Sequence, residues 1–298
     1  MTGPIAKPNN LLAVLAAAAT GVQVGSAIVA TRFVIDQTDP VTLAFLRYFI
    51  GFCLLLIPAW RSARGWFNRR DLLPIAGLGI TQFGILIVLM NYGLQFIPSA
   101  RAALIFACVP LLTMTLGALI GYERMTLLKT VGVLLTIVGV GFALGEKVLH
   151  PAAADVGWIG ELAVLASALC AALCSVLYRP YLSKYPTLQV SAFAMFASVG
   201  FLALAATLEG HFTSSYHFTS AGWLAVFFIG GSSAIGYYMW LWALGHSSPT
   251  QVTVFLSLSP ITSAALGALL LAEPISALFI AGLICVILGL WLAHRPQP

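Results

Sequence analysis

Val109-Pro-Leu-Leu-Thr-Met-Thr-Leu-Gly-Ala-Leu119 and Ser259-Pro-Ile-Thr-Ser-Ala-Ala-Leu-Gly-Ala-Leu269 are two copies of one stretch. Pro110 answers to Pro260, and Leu116-Gly117-Ala118-Leu119 to Leu266-Gly267-Ala268-Leu269. At the same spacing Glu123 answers to Glu273, Gly132 to Gly282 and Gly139 to Gly289. A shared bias toward Leu and Ala does not put Pro, Gly and Glu in register. The chain is therefore two copies of one unit, predicted as 1–148 and 149–298.

Hydrophobic residues make up 60% of the chain and charged residues 8%. Soluble domains run nearer to half and a quarter. Apolar runs of about twenty residues recur, each long enough to cross a hydrocarbon core of about 30 Å. The chain reads as an all-α polytopic membrane protein. Ten transmembrane helices are predicted at 11–31, 41–60, 73–95, 99–120, 127–145, 157–178, 187–208, 221–244, 250–271 and 275–293. The first run follows Lys7 and has nine like it behind it, so it reads as a span rather than a cleaved signal. All five cysteines fall inside predicted spans and read as small buried apolar residues.

Lys7, Arg61, Arg64, Arg69, Arg70, Arg124, Lys129, Arg179, Lys184 and Arg295 lie on one side of this plan. Arg32, Arg101 and Lys147 lie on the other, and Arg47 lies within a span. Positive-inside bias then puts both termini in the cytoplasm. Five helices per copy is an odd number, so the second copy starts from the opposite side. The halves are predicted to be inverted repeats about an axis in the membrane plane. Secondary transporters use this plan, with substrate bound near the midplane between the repeats.

Pro110 and Pro260 fall in mid-helix, where each removes a hydrogen bond and bends the chain. They are candidate hinges or static kinks, and the carbonyls of Phe106 and Leu256 are expected to lose their partners. Polar residues at mid-depth are the candidate substrate contacts: Gln23, Gln82, Ser233 and Ser257. Tyr237 and Trp240 share a helix face with Ser233. Each either touches a solute in an apolar pocket or bonds a neighbouring helix. Arg47 and Glu161 lie one to two turns inside their helices and could pair; a lone intramembrane Arg is a functional candidate, with a structural ion pair or snorkelling as the alternative. No Asp or Glu lies at the centre of a predicted helix, which points to facilitated diffusion or weak coupling.

Arg32 corresponds to Arg179, and Glu273 to Glu123. Contacts Glu273–Arg32 and Glu123–Arg179 would close alternate mouths as a two-state gate. The alternative is that each Glu stabilises the N-terminus of the helix that follows it.

The chain is similar to the EamA family of the drug/metabolite transporter superfamily. The likeness rests on Asp39-Pro40, Leu43-Ala44-Phe45-Leu46-Arg47 and Leu54-Leu55-Leu56-Ile57-Pro58 in the first half. It rests also on the Pro110-to-Gly139 and Pro260-to-Gly289 blocks and on Ala171-Ala172-Leu173-Cys174-Ser175-Val176-Leu177-Tyr178-Arg179. Where many members carry a Trp-Gly-Ser motif, this chain has Val22-Gln23-Val24-Gly25-Ser26. The second half has no match to Arg47. The resemblance implies ten helices as two inverted five-helix repeats, a central cavity from helices 1–4 and 6–9, and helices 5 and 10 at the side. Within the family the chain looks most like YddG-type exporters of aromatic and other neutral amino acids.

Other chemistries lack their residues. There is no Gly-rich phosphate loop with Lys-Ser/Thr, hence no ATP motor. His150, His211, His217, His246 and His294 fall in loops or at the C-terminal edge, without metal-ligand spacing. Gly230-Gly231-Ser232-Ser233 lacks the flanks of a nucleophile elbow. No basic run interleaved with aromatics suggests nucleic acid. The expectation is a carrier rather than an enzyme, without cofactor or metal. It would act as a monomer in the bilayer of a bacterial inner membrane and move small metabolites, most of all neutral amino acids, by alternating access. The rivals are a sugar-phosphate or nucleotide-sugar antiporter of the same superfamily, and a polytopic enzyme or channel.

Overall fold

Helix follows helix in the computed structural model, which describes residues 10–61, 67–121, 127–149, 158–208 and 218–293. No strand occurs among the described residues. The first half contains α1 (Asn10–Val34), α2 (Pro40–Arg61), α3 (Arg69–Gly79), α4 (Leu86–Leu94), α5 (Ser99–Phe106), α6 (Val109–Leu119) and α7 (Leu127–Leu149). The second contains α8 (Ile159–Leu177), α9 (Arg179–Leu182), α10 (Thr187–Leu208), α11 (Ser220–His246), α12 (Pro249–Thr253), α13 (Leu258–Leu271) and α14 (Ala277–Ala293). Eight helical stretches among the described residues are long and apolar enough to cross a membrane, and Thr130–Phe142 and Ala277–Leu292 are shorter apolar helices. Leu119, Leu127, Leu208 and Leu269 stand mostly exposed on the outside of the bundle. Surfaces that apolar call for lipid rather than water.

Three helices predicted as continuous are interrupted. The stretch predicted at 73–95 contains a π-helical turn, Ile80–Ile85, between α3 and α4. At its start the Thr81 hydroxyl donates to the Gly77 carbonyl at 2.9 Å. Pro110 and Pro260 break their helices a few residues upstream of themselves. A proline nitrogen has no hydrogen to donate, and its ring crowds the carbonyl four residues back. In the first half the result is a turn at Ala107 and Cys108 between α5 and α6. In the second it is a 3-10 segment, Val254–Ser257, between α12 and α13. The Leu256 carbonyl, expected to be left bare, accepts the Ser259 hydroxyl at 2.7 Å. The backbone N–H of Leu258 also reaches it.

Small residues let the helices close up, as expected without a hydrophobic drive between helices in lipid. A Cβ built on Gly139 would come within 2.6 Å of the Gly282 carbonyl oxygen, and one on Gly289 within 2.5 Å of that of Gly132. Gly132 thus meets Gly289 while Gly139 meets Gly282, so α7 and α14 run antiparallel. Contacts elsewhere come in matched sets. α1 packs on α11 and α13, and α8 packs on α4 and α6. α2 packs on α10 and α11, and α10 packs on α2 and α3. Exchanging the halves leaves this pattern unchanged.

Candidate functional site

A cavity of about 90 Å³ lies at the centre of the bundle. α1 supplies Thr20, Gln23, Val24, Ala27, Ile28 and Thr31 to its wall, one face of a helix at three- and four-residue spacing. α2 supplies Arg47 and Tyr48, and the π turn with α4 supplies Gln82, Leu86, Ile87 and Met90. α11 adds Ser233, Gly236, Tyr237 and Trp240, and α8 adds Ala171. Phe106 and Leu256 complete the wall. These two occupy the same place in the two copies, each at the break that its proline imposes.

Five predicted contact residues, Gln23, Gln82, Ser233, Tyr237 and Trp240, therefore sit on one wall. Ser257 does not join them; its hydroxyl donates to the Val254 carbonyl at 2.7 Å. Gln23 Nε2 donates to Ser232 Oγ at 3.3 Å, which ties α1 to α11. Gln82 lies inside the π turn, where the widened backbone re-aims a side chain. Phe83 is buried behind the wall, with its ring 4.7 Å from that of Tyr48 and 4.1 Å from that of Tyr237. Trp242, two residues past Trp240, packs on His246, with ring centres 4.2 Å apart.

Arg47 is 9% exposed, and its Nε donates to Ser233 Oγ at 2.7 Å. Arg47 and Glu161 do not pair: α8 packs beside α5, and Glu161 meets Arg101 at 3.7 Å. No Asp or Glu contributes to the cavity wall. The Gln82 Oε1 and the Thr31 hydroxyl are buried without hydrogen-bond partners. Buried polar atoms of this kind are costly, and here two share a wall with a guanidinium. Sequence reasoning left Arg47 outside the contact set. The signal for it was its position, as the one Lys or Arg more than a turn inside a predicted span.

Pro110 faces sideways, into a crevice it forms with Gly132, Thr136 and Gly289. Pro260 is buried in the first turn of α13. The predicted gate residues have other partners here. Arg32 pairs with Asp36 at 3.1 Å, one turn along its own chain. Glu273 holds Ser99 at the start of α5, accepting its N–H at 3.0 Å and its hydroxyl at 2.5 Å. That is the N-terminus of a helix in the other half, not of the helix following Glu273. Arg179 is exposed at the start of α9, and Glu123 lies outside the described residues.

Two other contacts link helix ends at opposite ends of the bundle. Gln37, just past α1, accepts the backbone N–H of Thr219 at 3.0 Å and its hydroxyl at 3.3 Å. Thr219 is the N-cap of α11. Tyr185, just past α9, accepts the backbone N–H of Asn68 at 3.1 Å and donates to Asp71 at 2.6 Å. Asn68 is the N-cap of α3. α2 carries the chain from one of these contacts to the other. Among the described residues no three His, Cys, Asp or Glu side chains gather to hold a metal ion.

An apolar outside, a polar-edged cavity at the core and linked helix ends at both extremes define a multi-pass membrane transport protein. The chain belongs to the EamA-like transporter family, which matches residues 11–145 and 158–295. It is 28% identical to a probable terminal-alkyne amino-acid exporter of Streptantibioticus cattleyicolor, over 95% of this chain and 93% of that one. A probable amino-acid metabolite efflux pump of Salmonella typhimurium is 26% identical, over 87% and 86% of the two chains. A transporter of Archaeoglobus fulgidus is 27% identical over 92% and 95%. A solved crystal structure has the same fold, with a TM-score of 0.71 and 22% identity over 95% of this chain and 96% of its own.

Proposed function

We propose that the chain is a carrier that exports neutral amino acids, aromatic ones included, by alternating access across a bacterial inner membrane. Both termini lie in the cytoplasm. The ten helices form two inverted five-helix repeats, 1–148 and 149–298, with α3, the π turn and α4 counting as one span and α5 with α6 and α12 with α13 each as one. The observation that carries this reading is the shared wall of the cavity: Phe106 and Leu256, equivalent residues at equivalent helix breaks, meet there from the two halves. The crossed glycine contacts of α7 and α14 support the inversion, because equivalent residues swap partners. Alternating access needs two mouths whose closures are exchanged by the same axis. The Gln37–Thr219 and Asn68–Tyr185 contacts have that relation. The relatives named as amino-acid exporters support the substrate class. The wall agrees with it: a few polar groups on an otherwise apolar and aromatic surface suit a small zwitterion. The carrier would act as a monomer. No cofactor enters this scheme and no bond is made or broken.

Counterflow into proteoliposomes tests it. Vesicles loaded with unlabelled leucine or phenylalanine should accumulate the labelled amino acid transiently and saturably. Accumulation of phosphorylated sugars instead would move the chain to the antiporter class. Non-saturable leakage would make it a channel.

A further inference from the structure

Arg47 is a buried cation with unfilled bonding capacity. A guanidinium offers five N–H donors and is always charged in proteins. Only Nε is engaged, by Ser233 Oγ at 2.7 Å; among the described residues the two terminal nitrogens have no hydrogen-bond partner. The ring of the adjacent Tyr48 lies 5.4 Å away and softens the charge from one side. No carboxylate stands on the cavity wall to neutralise it. A charge held like this at membrane depth is expensive unless something completes it. The terminal edge of a guanidinium matches a carboxylate with two parallel bonds, a geometry that lysine does not offer.

Two neutral groups on the wall are left to accept. Gln82 Oε1 and the Thr31 hydroxyl are buried acceptors without donors. Neither is charged, so they can take an ammonium by hydrogen bonds but cannot pair with it. α10, the counterpart of α2 in the second half, carries no charged side chain. The site therefore has one positive pole, not two.

We infer that Arg47 is the carboxylate anchor of the transport site. It holds the substrate carboxylate through its terminal nitrogens while Ser233 fixes the guanidinium, and Gln82 and Thr31 receive the amino group. The inference rests on the amino-acid reading above for the identity of the whole substrate, but not for the carboxylate. It carries a ranking: the carboxylate matters more than the amino group, because only the carboxylate meets a charge.

The test uses the purified full-length chain and ligand-induced thermal stabilisation, with competition in counterflow as a second readout. The probes are phenylalanine, phenylalaninamide, phenethylamine and 3-phenylpropionate. Phenylalanine and 3-phenylpropionate should bind, while the amide and the amine should bind more weakly by about tenfold or more. Arg47→Lys keeps a cation but loses the fork. It should weaken binding of both carboxylates by about tenfold while the unliganded melting temperature stays near that of the parent. Equal binding of phenylalanine and its amide would overturn the inference, and so would unchanged carboxylate binding in Arg47→Lys. If 3-phenylpropionate binds and is carried but amino acids are not, the anchor stands and the amino-acid reading falls. If no carboxylate binds while amines or amides do, the anchor falls.

Discussion

Glu273, two residues past α13, closes its carboxylate over Ser99, the first residue of α5 in the other half. One oxygen takes the backbone N–H and the other takes the hydroxyl, so a helix N-terminus with free donors receives both a charge and two bonds. The fit depends on Gly267. A Cβ there would sit 2.7 Å from Glu273 Oε2 and 2.8 Å from Ser99 Oγ. Glu273→Ala should lower stability by about 1–2 kcal/mol, in the range of a lost cap with a charged acceptor. Ser99→Ala, which keeps the backbone bond, should cost less. Thermal unfolding of both variants in one detergent checks the order.

The residue before Glu273 offers a change of opposite sign. Ala272 has φ of 53°, the left-handed region, and ends α13 there. The first half uses Gly121, with φ of 81°, to leave α6. A left-handed backbone crowds the Cβ of an L-residue and costs about 1 kcal/mol that glycine avoids. Ala272→Gly should therefore raise the melting temperature. A lower melting temperature would show that the Ala272 methyl contributes more by packing than it costs in backbone strain.

α1 lies between α11 and α13. Gly25 is a point of close approach to α13, where a Cβ would come within 2.5 Å of the Ser259 carbonyl oxygen and 2.8 Å of Thr262 Cβ. Backbone atoms cannot swing aside as a flexible side chain can. Gly25→Val should separate α1 from α13 and reduce the yield of monodisperse protein on size exclusion. Ser26→Val is the control, because Ser26 donates only to the Val22 carbonyl of its own helix.

The repeat was legible because Pro110, Gly117 and Glu123 recur in register as Pro260, Gly267 and Glu273, and such residues are sparse enough to align. The wall residues Gln23, Gln82, Ser233, Tyr237 and Trp240 could be picked out because polar and aromatic groups at mid-depth stand out against an apolar background. Partners were less legible. Arg47 and Glu161 sit at compatible depths, but depth does not fix which helix faces which; α8 turns Glu161 toward Arg101 on α5 instead. Gln37 is a polar residue beyond a helix end, with nothing local to mark it, and its partner lies 182 residues away. The π turn at Ile80–Ile85 contains no proline to mark a break in the helix, so its effect on the aim of Gln82 had no sequence signal.

The matched contacts at the two ends predict opposite effects on access. Tyr185 accepts from the backbone N–H of Asn68 and donates to Asp71, while Lys184 adds a longer contact to Asp71 at 3.4 Å. Tyr185→Phe removes both hydroxyl bonds and leaves the ring, which still packs on Phe67 at 4.8 Å. The helix ends stay in contact, but the N-cap of α3 loses its outside partner. At the other end Gln37→Ala removes the acceptor for the Thr219 N–H. Access can be read from a cysteine on the cavity wall, Ala171→Cys, in a background whose five native cysteines are replaced. A membrane-impermeant thiol reagent should label it faster from the Asn68 side in Tyr185→Phe, and faster from the Thr219 side in Gln37→Ala. Each bond is worth about 1 kcal/mol, so a rate change of several-fold is the scale expected from a shift between two states. If both variants change labelling from the same side, the two contacts are not alternative closures.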